Sequence, residues 1–126
     1  MLAGCRKKRS TGFPGYAFVA NEEGQAIAAV DLTAFAVIRH IQLDGKPTDV
    51  VASPAVPSVY ALTPDTGTVH EIPMDHLQVR SKVQRGSSAL SMKLAGRSLL
   101  VLYRSPRKIV SLALENSMRP AWEISL

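Results

Sequence analysis

Short apolar runs of about five to seven residues, rich in valine, isoleucine and leucine, recur along the chain from Tyr16 onward. Glycine, proline and polar clusters separate these runs, which is the pattern of β-strands joined by turns. No window has the apolar period that predicts a helix. The pattern predicts eleven strands, in order YAFVA, AIAAVDL, FAVIRHI, TDVVAS, SVYAL, TVHEIPM, QVRSKV, ALSMKL, SLLVLY, KIVSLAL and AWEISL.

The strands repeat with a period of about forty residues. The first apolar residue of one recurring phrase is Ile27, Val69 and Ile109, at steps of 42 and 40. The residue that closes the next strand is Ile41, Val83 and Ile124, at steps of 42 and 41. In the same register, Gly45 corresponds to Gly86. Several independent positions therefore agree on one repeat length.

A repeat of about forty residues with four short strands and no helix is the length of one β-propeller blade. Each blade is a small antiparallel sheet with two apolar faces, and stacking against neighbouring blades removes those faces from water. We predict an all-β fold, a partial β-propeller of about two and a half to three four-stranded antiparallel blades that is not closed. The predicted repeats are residues 16–58, 59–99 and 100–126, and residues 1–15 are a flexible basic tether.

The first copy resembles the YVTN-type propeller repeat. FVAN stands for the aromatic-Val-Thr-Asn strand end, AIAAVDL for the Val-x-Val-Ile-Asp strand, and GKPTDVVASP for the Gly-x-Pro-x-x-Val-x-x-Ser-Pro link. Since closed members of that family have seven blades, the resemblance implies that the chain is the amino-terminal part of a longer protein. Its partners would then include the remaining blades of the same propeller. We expect residues 16–20 to present an unpaired strand edge and the last blade to present a bare apolar face.

Three polar or aromatic residues have expected structural roles. Asn21 and Asp31 end two predicted strands, where their short side chains can accept hydrogen bonds from the amides of a turn. Trp122 opens the last predicted strand, where a large ring is expected to pack between blades.

Composition and charge narrow the function only slightly. The chain is 46% hydrophobic and 20% charged, which is typical of a globular protein, and its single cysteine excludes an internal disulfide. The net charge is +5, but residues 10–75 carry two basic and eight acidic residues while residues 76–126 carry nine basic and two acidic. Because no recognition-helix pattern accompanies this regional charge, nucleic-acid binding is not favoured.

The segment Leu2-Ala3-Gly4-Cys5 resembles the lipobox of bacterial lipoproteins, in which the cysteine receives a diacylglyceryl chain. This resemblance makes Cys5 a lipidation candidate and implies a membrane anchor and a place in the bacterial cell envelope or periplasm. A signal peptide needs an apolar core upstream, and only Met1 precedes the box. Either the match is accidental and Met1 is the true start of a cytoplasmic protein, or the chain begins at an internal methionine of a longer precursor.

Residues able to carry chemistry are few. The densest titratable cluster is His70, Glu71, Asp75 and His76, and His40 lies apart from it. Since side chains alternate along a strand, the two clustered histidines need not converge on one metal, and we predict a solvated strand face and turn. We assign no catalytic, cofactor-binding or metal-binding residue.

Basic residues recur near strand ends in the second half of the chain. Arg104, Arg107 and Lys108 form a candidate surface for an anionic partner. The alternative is a solvated face whose charges protect strand edges from association.

Together these patterns predict a non-enzymatic binding or scaffolding propeller module of the bacterial cell envelope, with no cofactor and with a protein or small-molecule ligand. The alternative is the propeller portion of a cofactor- or metal-dependent enzyme, similar to a dehydrogenase or a lactonase. That alternative would need a haem-attachment motif or an acidic metal cluster, and the sequence has neither.

Overall fold

Twelve β-strands make up most of the chain that the computed structural model describes, which is residues 10–13 and 15–126. They form three four-stranded antiparallel sheets, each built from four consecutive strands, and we name these sheets blades 1, 2 and 3. Blade 1 contains β1 (Ser10–Phe13), β2 (Tyr16–Asn21), β3 (Ala26–Asp31) and β4 (Ala36–Gln42). Blade 2 contains β5 (Asp49–Ser53), β6 (Ser58–Thr63), β7 (Thr68–Pro73) and β8 (Ser81–Gln84). Blade 3 contains β9 (Ser88–Ala95), β10 (Ser98–Ser105), β11 (Lys108–Ala113) and β12 (Arg119–Ser125), with a short 3-10 helix (Leu114–Asn116) before its last strand.

All eleven predicted strands are confirmed as β2 to β12. The prediction of an unpaired edge at residues 16–20 is wrong, because β1 pairs antiparallel with β2 from Ser10 opposite Val19 to Phe13 opposite Tyr16. This extra strand lies within residues 1–15, for which the sequence predicts a flexible tether. The sequence of this strand, Ser-Thr-Gly-Phe, has a single large apolar residue. It therefore shows no alternation of apolar and polar residues from which a strand could be predicted.

The repeat found in the sequence is visible in the strand register. In each blade the second residue of the third strand lies directly opposite the second-to-last residue of the fourth strand, and these pairs are Ile27 with Ile41, Val69 with Val83, and Ile109 with Ile124. Each predicted repeat begins at the second strand of a blade, so the predicted repeats are offset from the sheets by one strand.

The core lies between the blades. One buried apolar cluster joins blade 1 to blade 2 and includes Phe18, Ile27 and Ile72. A second cluster joins blade 2 to blade 3 and includes Tyr60, Leu112 and other side chains from both sheets. The first strands of the three blades also meet, since β1 contacts β5 and β5 contacts β9. The blades are therefore stacked side by side around their inner strands, which is the arrangement expected of a propeller.

Turn chemistry accounts for the predicted roles of Asn21 and Asp31, which are confirmed. The Asn21 side-chain oxygen accepts a hydrogen bond from the Gly24 amide at 3.0 Å. The Asp31 carboxylate accepts hydrogen bonds from the amides of Thr33 and Ala34 at 2.9 and 3.2 Å. These contacts close the turns at the two ends of β3.

The connections between blades lie at the same end of the stack as the β2–β3, β6–β7 and β10–β11 turns, and we call this the linker end. Here Gly67, in the β6–β7 turn, has a φ of +68° and lies against the backbone of Gly86. The Tyr103 hydroxyl donates a hydrogen bond to the Gly67 carbonyl at 3.1 Å and accepts one from the Arg85 amide at 3.2 Å. Close backbone packing and the hydrogen bonds of Tyr103 thus hold blades 2 and 3 together at this end.

Within the described residues, no helix combines the length and the hydropathy that a membrane crossing requires.

Replacing Gly67 with alanine is expected to destabilise the protein more than replacing Gly96 with alanine. Both glycines have positive φ, but a Cβ on Gly67 would overlap the Gly86 carbonyl oxygen, whereas a Cβ on Gly96 meets nothing within 4 Å. Gly96→Ala should therefore lower the free energy of unfolding by about 1 kcal/mol, the backbone cost alone, and Gly67→Ala by clearly more. Urea unfolding measures both changes, and equal losses would contradict the close approach.

Candidate functional site

Strand β7 carries two polar side chains into the interior. His70 and Glu71 are both fully buried, so the prediction that they belong to a solvated strand face is wrong. The positions equivalent to His70 hold Ala28 in blade 1 and Val110 in blade 3. Blade 2 has a neighbour on each of its faces, and consecutive residues of β7 are therefore buried although they point in opposite directions.

His70 faces blade 1, and its two ring nitrogens have different surroundings. Nδ1 lies 3.3 Å from the carbonyl oxygen of Ala61. Since a carbonyl only accepts hydrogen bonds, Nδ1 carries the proton in this arrangement and Nε2 is left as an acceptor. Burial lowers the pKa of His70, and the charge of Lys82 adds to this effect against the opposing influence of Asp44. The ring is therefore neutral near pH 7.

Asp44 lies in the connection between blades 1 and 2, and threonine hydroxyls hold its carboxylate in place. Oδ1 accepts hydrogen bonds from Thr63 Oγ1 at 2.9 Å and from Thr66 Oγ1 at 3.0 Å. Burial by itself would raise the pKa of Asp44, but hydrogen bonds from Thr63, Thr68 and Thr66, together with the charge of His70, outweigh it and lower the pKa. Asp44 is therefore an ionised carboxylate of fixed orientation.

His70 and Asp44 share a pocket of about 380 Å³ in the groove between the outer strands of blades 1 and 2. Nε2 of His70 lies 3.3 Å from Oδ1 of Asp44, yet this contact lacks hydrogen-bond geometry and Nε2 has no hydrogen-bond partner among the described residues. The pocket is lined by Gln42, Leu43, Asp44, His70, Val79 and Lys82. We call it the His70 pocket.

Glu71 belongs to a separate cluster that faces blade 3. Its Oε2 accepts hydrogen bonds from Arg80 Nη2 at 2.8 Å and from the Tyr60 hydroxyl at 3.3 Å, while Oε1 is buried without a partner among the described residues. Burial and the charge of Glu71 raise the pKa of Tyr60, and the hydrogen bond to Glu71 raises the pKa of Arg80. This cluster is a buried charge held by one half-exposed arginine, so its role is structural.

The predicted anionic-partner residues lie at the linker end of blade 3. Arg104 and Arg107 are exposed at the β10–β11 turn. The Lys108 side chain is only 14% exposed, and its Nζ lies 3.2 Å from Glu123, which also pairs with Arg85 at 2.7 Å. The structure therefore brings the two arginines together but pairs the lysine with a carboxylate. An anionic partner for this surface stays a prediction.

The remaining titratable residues do not join the His70 pocket. His76 and Asp75 lie exposed in the β7–β8 turn, 4.0 Å apart and at the end of the blade opposite the linker end. His40 is exposed on β4. Within residues 10–13 and 15–126, no group of three or more histidine, cysteine, aspartate or glutamate side chains is arranged to hold a metal ion. Cys5 and the lipobox-like segment lie outside the described residues.

Comparison with known proteins identifies the fold. No protein-family model matches the sequence, and no curated protein matches it. Among solved structures, hydrazine synthase of Kuenenia stuttgartiensis is similar, with a TM-score of 0.82 and 15% identity over 94% of this chain and 37% of that chain. Apo AztD from Citrobacter koseri has a TM-score of 0.72 and 23% identity, over 88% of this chain and 32% of that one. The dihydro-heme d1 dehydrogenase NirN, in complex with DHE, has a TM-score of 0.78 and 13% identity, over 88% and 25%.

The chain has the fold of a partial β-propeller. It spans between a quarter and two fifths of the length of these three structures. At such identities the likeness concerns the fold, and the three open blades agree with the prediction of a propeller that is not closed.

Burial of a neutral His70 predicts that stability falls on acidification. Because its pKa in the folded chain lies below the ordinary 6.5, the unfolded chain binds a proton near that pH which the folded chain does not. The free energy of unfolding should therefore fall by up to about 1.4 kcal/mol per pH unit as the pH drops below about 6.5. The lowered pKa of Asp44 adds a second loss below its ordinary 3.8.

Urea unfolding between pH 8 and pH 5 measures this dependence in the wild-type protein and in the His70→Gln variant. In the variant, the free energy of unfolding should depend much less on pH, because glutamine has no group that binds a proton in this range. His76→Gln is the matched control, since that imidazole is 63% exposed and should leave the slope unchanged. A wild-type slope in His70→Gln would contradict the assignment.

Arg80 is expected to matter far more for stability than an arginine in an exposed ion pair. Arg80→Gln leaves the Glu71 carboxylate buried without its cation, and we expect a loss of about 2 kcal/mol or more. Arg97→Gln removes the ion pair with Glu115, in which both side chains are more than half exposed, and should cost less than about 1 kcal/mol. Adding Glu71→Gln to Arg80→Gln should recover part of the loss, and a double variant without recovery would refute the explanation.

Proposed function

We propose that this chain is a non-enzymatic binding and scaffolding module of a larger propeller, and that blade 3 receives a further blade of the same protein. The observation that carries the proposal is the face of blade 3 that points away from blade 2. Its apolar residues lie on one side of the sheet by register, and they are Leu100, Leu102, Ile109, Trp122 and Ile124. We call this set the open face.

Six of the ten equivalent positions in the other two blades are buried under the next sheet, namely Phe18, Ile27, Ile41, Tyr60, Leu62 and Val69. Ile41 in blade 1 is 4% exposed, whereas its counterpart Ile124 on the open face is 52% exposed. Tyr60 and Leu62 in blade 2 are fully buried against blade 3, whereas Leu100 and Leu102 are partly exposed. The open face thus repeats a surface that this fold covers with another blade wherever a neighbour is present.

Trp122 adds a large apolar ring to the open face, at a position where blades 1 and 2 have the exposed Arg39 and the half-buried Ser81. The prediction that its ring packs between blades is wrong for the described chain, because the ring is 46% exposed on the open face. The chain corresponds to 25 to 37% of the similar structures, whose remaining length supports a further blade as the occupant.

The proposal includes a location and a repeat type. We place the module in the bacterial cell envelope or periplasm, anchored through an acylated Cys5, and assign its blades to the YVTN-type repeat. The lipobox-like residues 2–5, the basic residues 6–9 and the FVAN phrase of the first repeat support these assignments. Mass spectrometry of the protein purified from membranes tests the anchor: a mass increase on Cys5 is expected, and an unmodified thiol would contradict it.

The single tryptophan offers a direct test of the open face. In the product of the complete coding sequence, emission from Trp122 should be blue-shifted and poorly quenched by acrylamide, because a further blade covers the ring. In the 126-residue chain at high dilution, the emission should be that of an exposed indole. Exposed emission in the complete product would refute the proposal, as would shielding in both that changes with concentration, which would assign the face to a second copy.

Two variants test whether self-association is specific to the open face or results from any exposed apolar side chain. The 126-residue chain alone should self-associate at micromolar concentration, and Trp122→Ser with Ile124→Thr should weaken that association about tenfold or more. Phe35→Ser should have no such effect, because that side chain is 69% exposed at a turn of blade 1. Sedimentation equilibrium measures all three, and equal weakening by Phe35→Ser would contradict a specific face.

A further inference from the structure

The His70 pocket contains a buried imidazole that stacking of the blades does not require. At the next junction, between blades 2 and 3, the equivalents of Asp44, His70 and Lys82 are Arg85, Val110 and Glu123. Arg85 and Glu123 form an ion pair 2.7 Å apart, so the two charged positions recur with exchanged signs, whereas the apolar Val110 takes the place of the imidazole. The buried imidazole is therefore a property of this pocket and not of the repeat.

The two groups at the base of the pocket both accept hydrogen bonds. Nε2 of the neutral His70 ring has a free lone pair, and Asp44 is an ionised carboxylate 3.3 Å away. Thr63 and Thr66 already direct their hydroxyls to Asp44, so they do not serve the imidazole. Two acceptors at this separation repel each other unless one donor group bonds to both of them. The base of the pocket is thus prepared for a group that donates several hydrogen bonds.

The wall of the pocket carries the opposite charge. Lys82 lies directly opposite His70 in the β7–β8 register and lines the same pocket, and Gln42 can both donate and accept. An anion alone would be repelled by Asp44, and a cation alone by Lys82. A divalent metal ion would also be repelled by the charge of Lys82. In the part of the chain that the structure describes, no three histidine, cysteine, aspartate or glutamate side chains are grouped so that they could hold one. The charge pattern instead matches a molecule that carries both signs.

We propose that the His70 pocket binds a small zwitterion of α-amino acid type. Its primary ammonium donates hydrogen bonds to His70 Nε2 and to the Asp44 carboxylate, and its carboxylate pairs with Lys82. A volume of about 380 Å³ accommodates such a molecule. The pocket lies between blades 1 and 2, away from the open face, so this inference does not rest on the proposed function.

Isothermal titration calorimetry of the 126-residue chain at pH 7.5 tests the proposal with glycine, L-alanine and L-glutamate. At least one should bind with a dissociation constant in the micromolar to low millimolar range. The analogues of that amino acid that lack one charge, the N-acetyl derivative and the amide, should each bind about tenfold more weakly or worse. Absence of binding by all three amino acids, or equal binding by either analogue, would overturn the proposal.

Matched variants locate the site. Lys82→Gln and Asp44→Asn should each weaken binding about tenfold, and Lys82→Gln should remove the preference for the free acid over the amide. Lys93→Gln and Asp75→Asn change exposed residues of the same charge elsewhere and should leave binding unchanged. These variants leave the buried imidazole in place, so we expect them to fold. Circular dichroism checks that they do. Unchanged affinity in Lys82→Gln would refute the site.

The ring itself gives an independent readout. In protein labelled with ¹⁵N at histidine, the Nε2 resonance of His70 should shift on addition of the amino acid while the Nδ1 resonance stays close to its position, since Nδ1 remains bonded to Ala61. The resonances of exposed His76 serve as the internal control. Binding without a change at His70 Nε2 would overturn the assignment of the ammonium position.

Discussion

Every part of this molecule depends on one constraint, which is that a four-stranded sheet with two apolar faces must be covered on both. Neither face of an isolated blade can be buried by the blade itself, so each sheet is stable only as part of a stack. The two buried clusters lie between blades and draw side chains from both neighbours. The same requirement leaves the open face of blade 3 as an unsatisfied version of a surface that is buried elsewhere in the chain.

The constraint also determines where polar chemistry is found. Only blade 2 is covered on both faces within the described chain, and it is there that consecutive residues of one strand, His70 and Glu71, are completely buried. Each carries a cost that a neighbouring element offsets: the connection from blade 1 brings Asp44 and a pocket to His70, and Arg80 brings a cation to Glu71. His70 borders a pocket, whereas Glu71 is paired with the protein's own arginine.

Much of this fold could be predicted from the sequence, because alternating apolar runs and their forty-residue period directly encode strands and blades. Three equivalent pairs, beginning with Ile27 and Ile41, even fall in the same register in all three sheets. Strand β1 could not be found in this way, because backbone pairing to β2 defines it. The His70 pocket was also hidden, since Asp44 lies 26 positions before His70 and only the stacking of blades 1 and 2 brings them together.

A repeat provides its own reference for deciding which residues serve the fold. Where equivalent positions in three blades are all apolar, as at Ile27, Val69 and Ile109, stacking alone explains them. At the position of His70, the other two blades have a small or apolar residue, Ala28 and Val110. A buried imidazole is less favourable for folding than either of them, and the other two blades show that stacking does not require it. The hydrogen-bond partners of Glu71 and His70 distinguish these two buried polar residues of blade 2. Glu71 is bonded by Arg80 and Tyr60, whereas the free nitrogen of His70 faces a pocket and another acceptor, an arrangement that a ligand completes and that the protein alone does not.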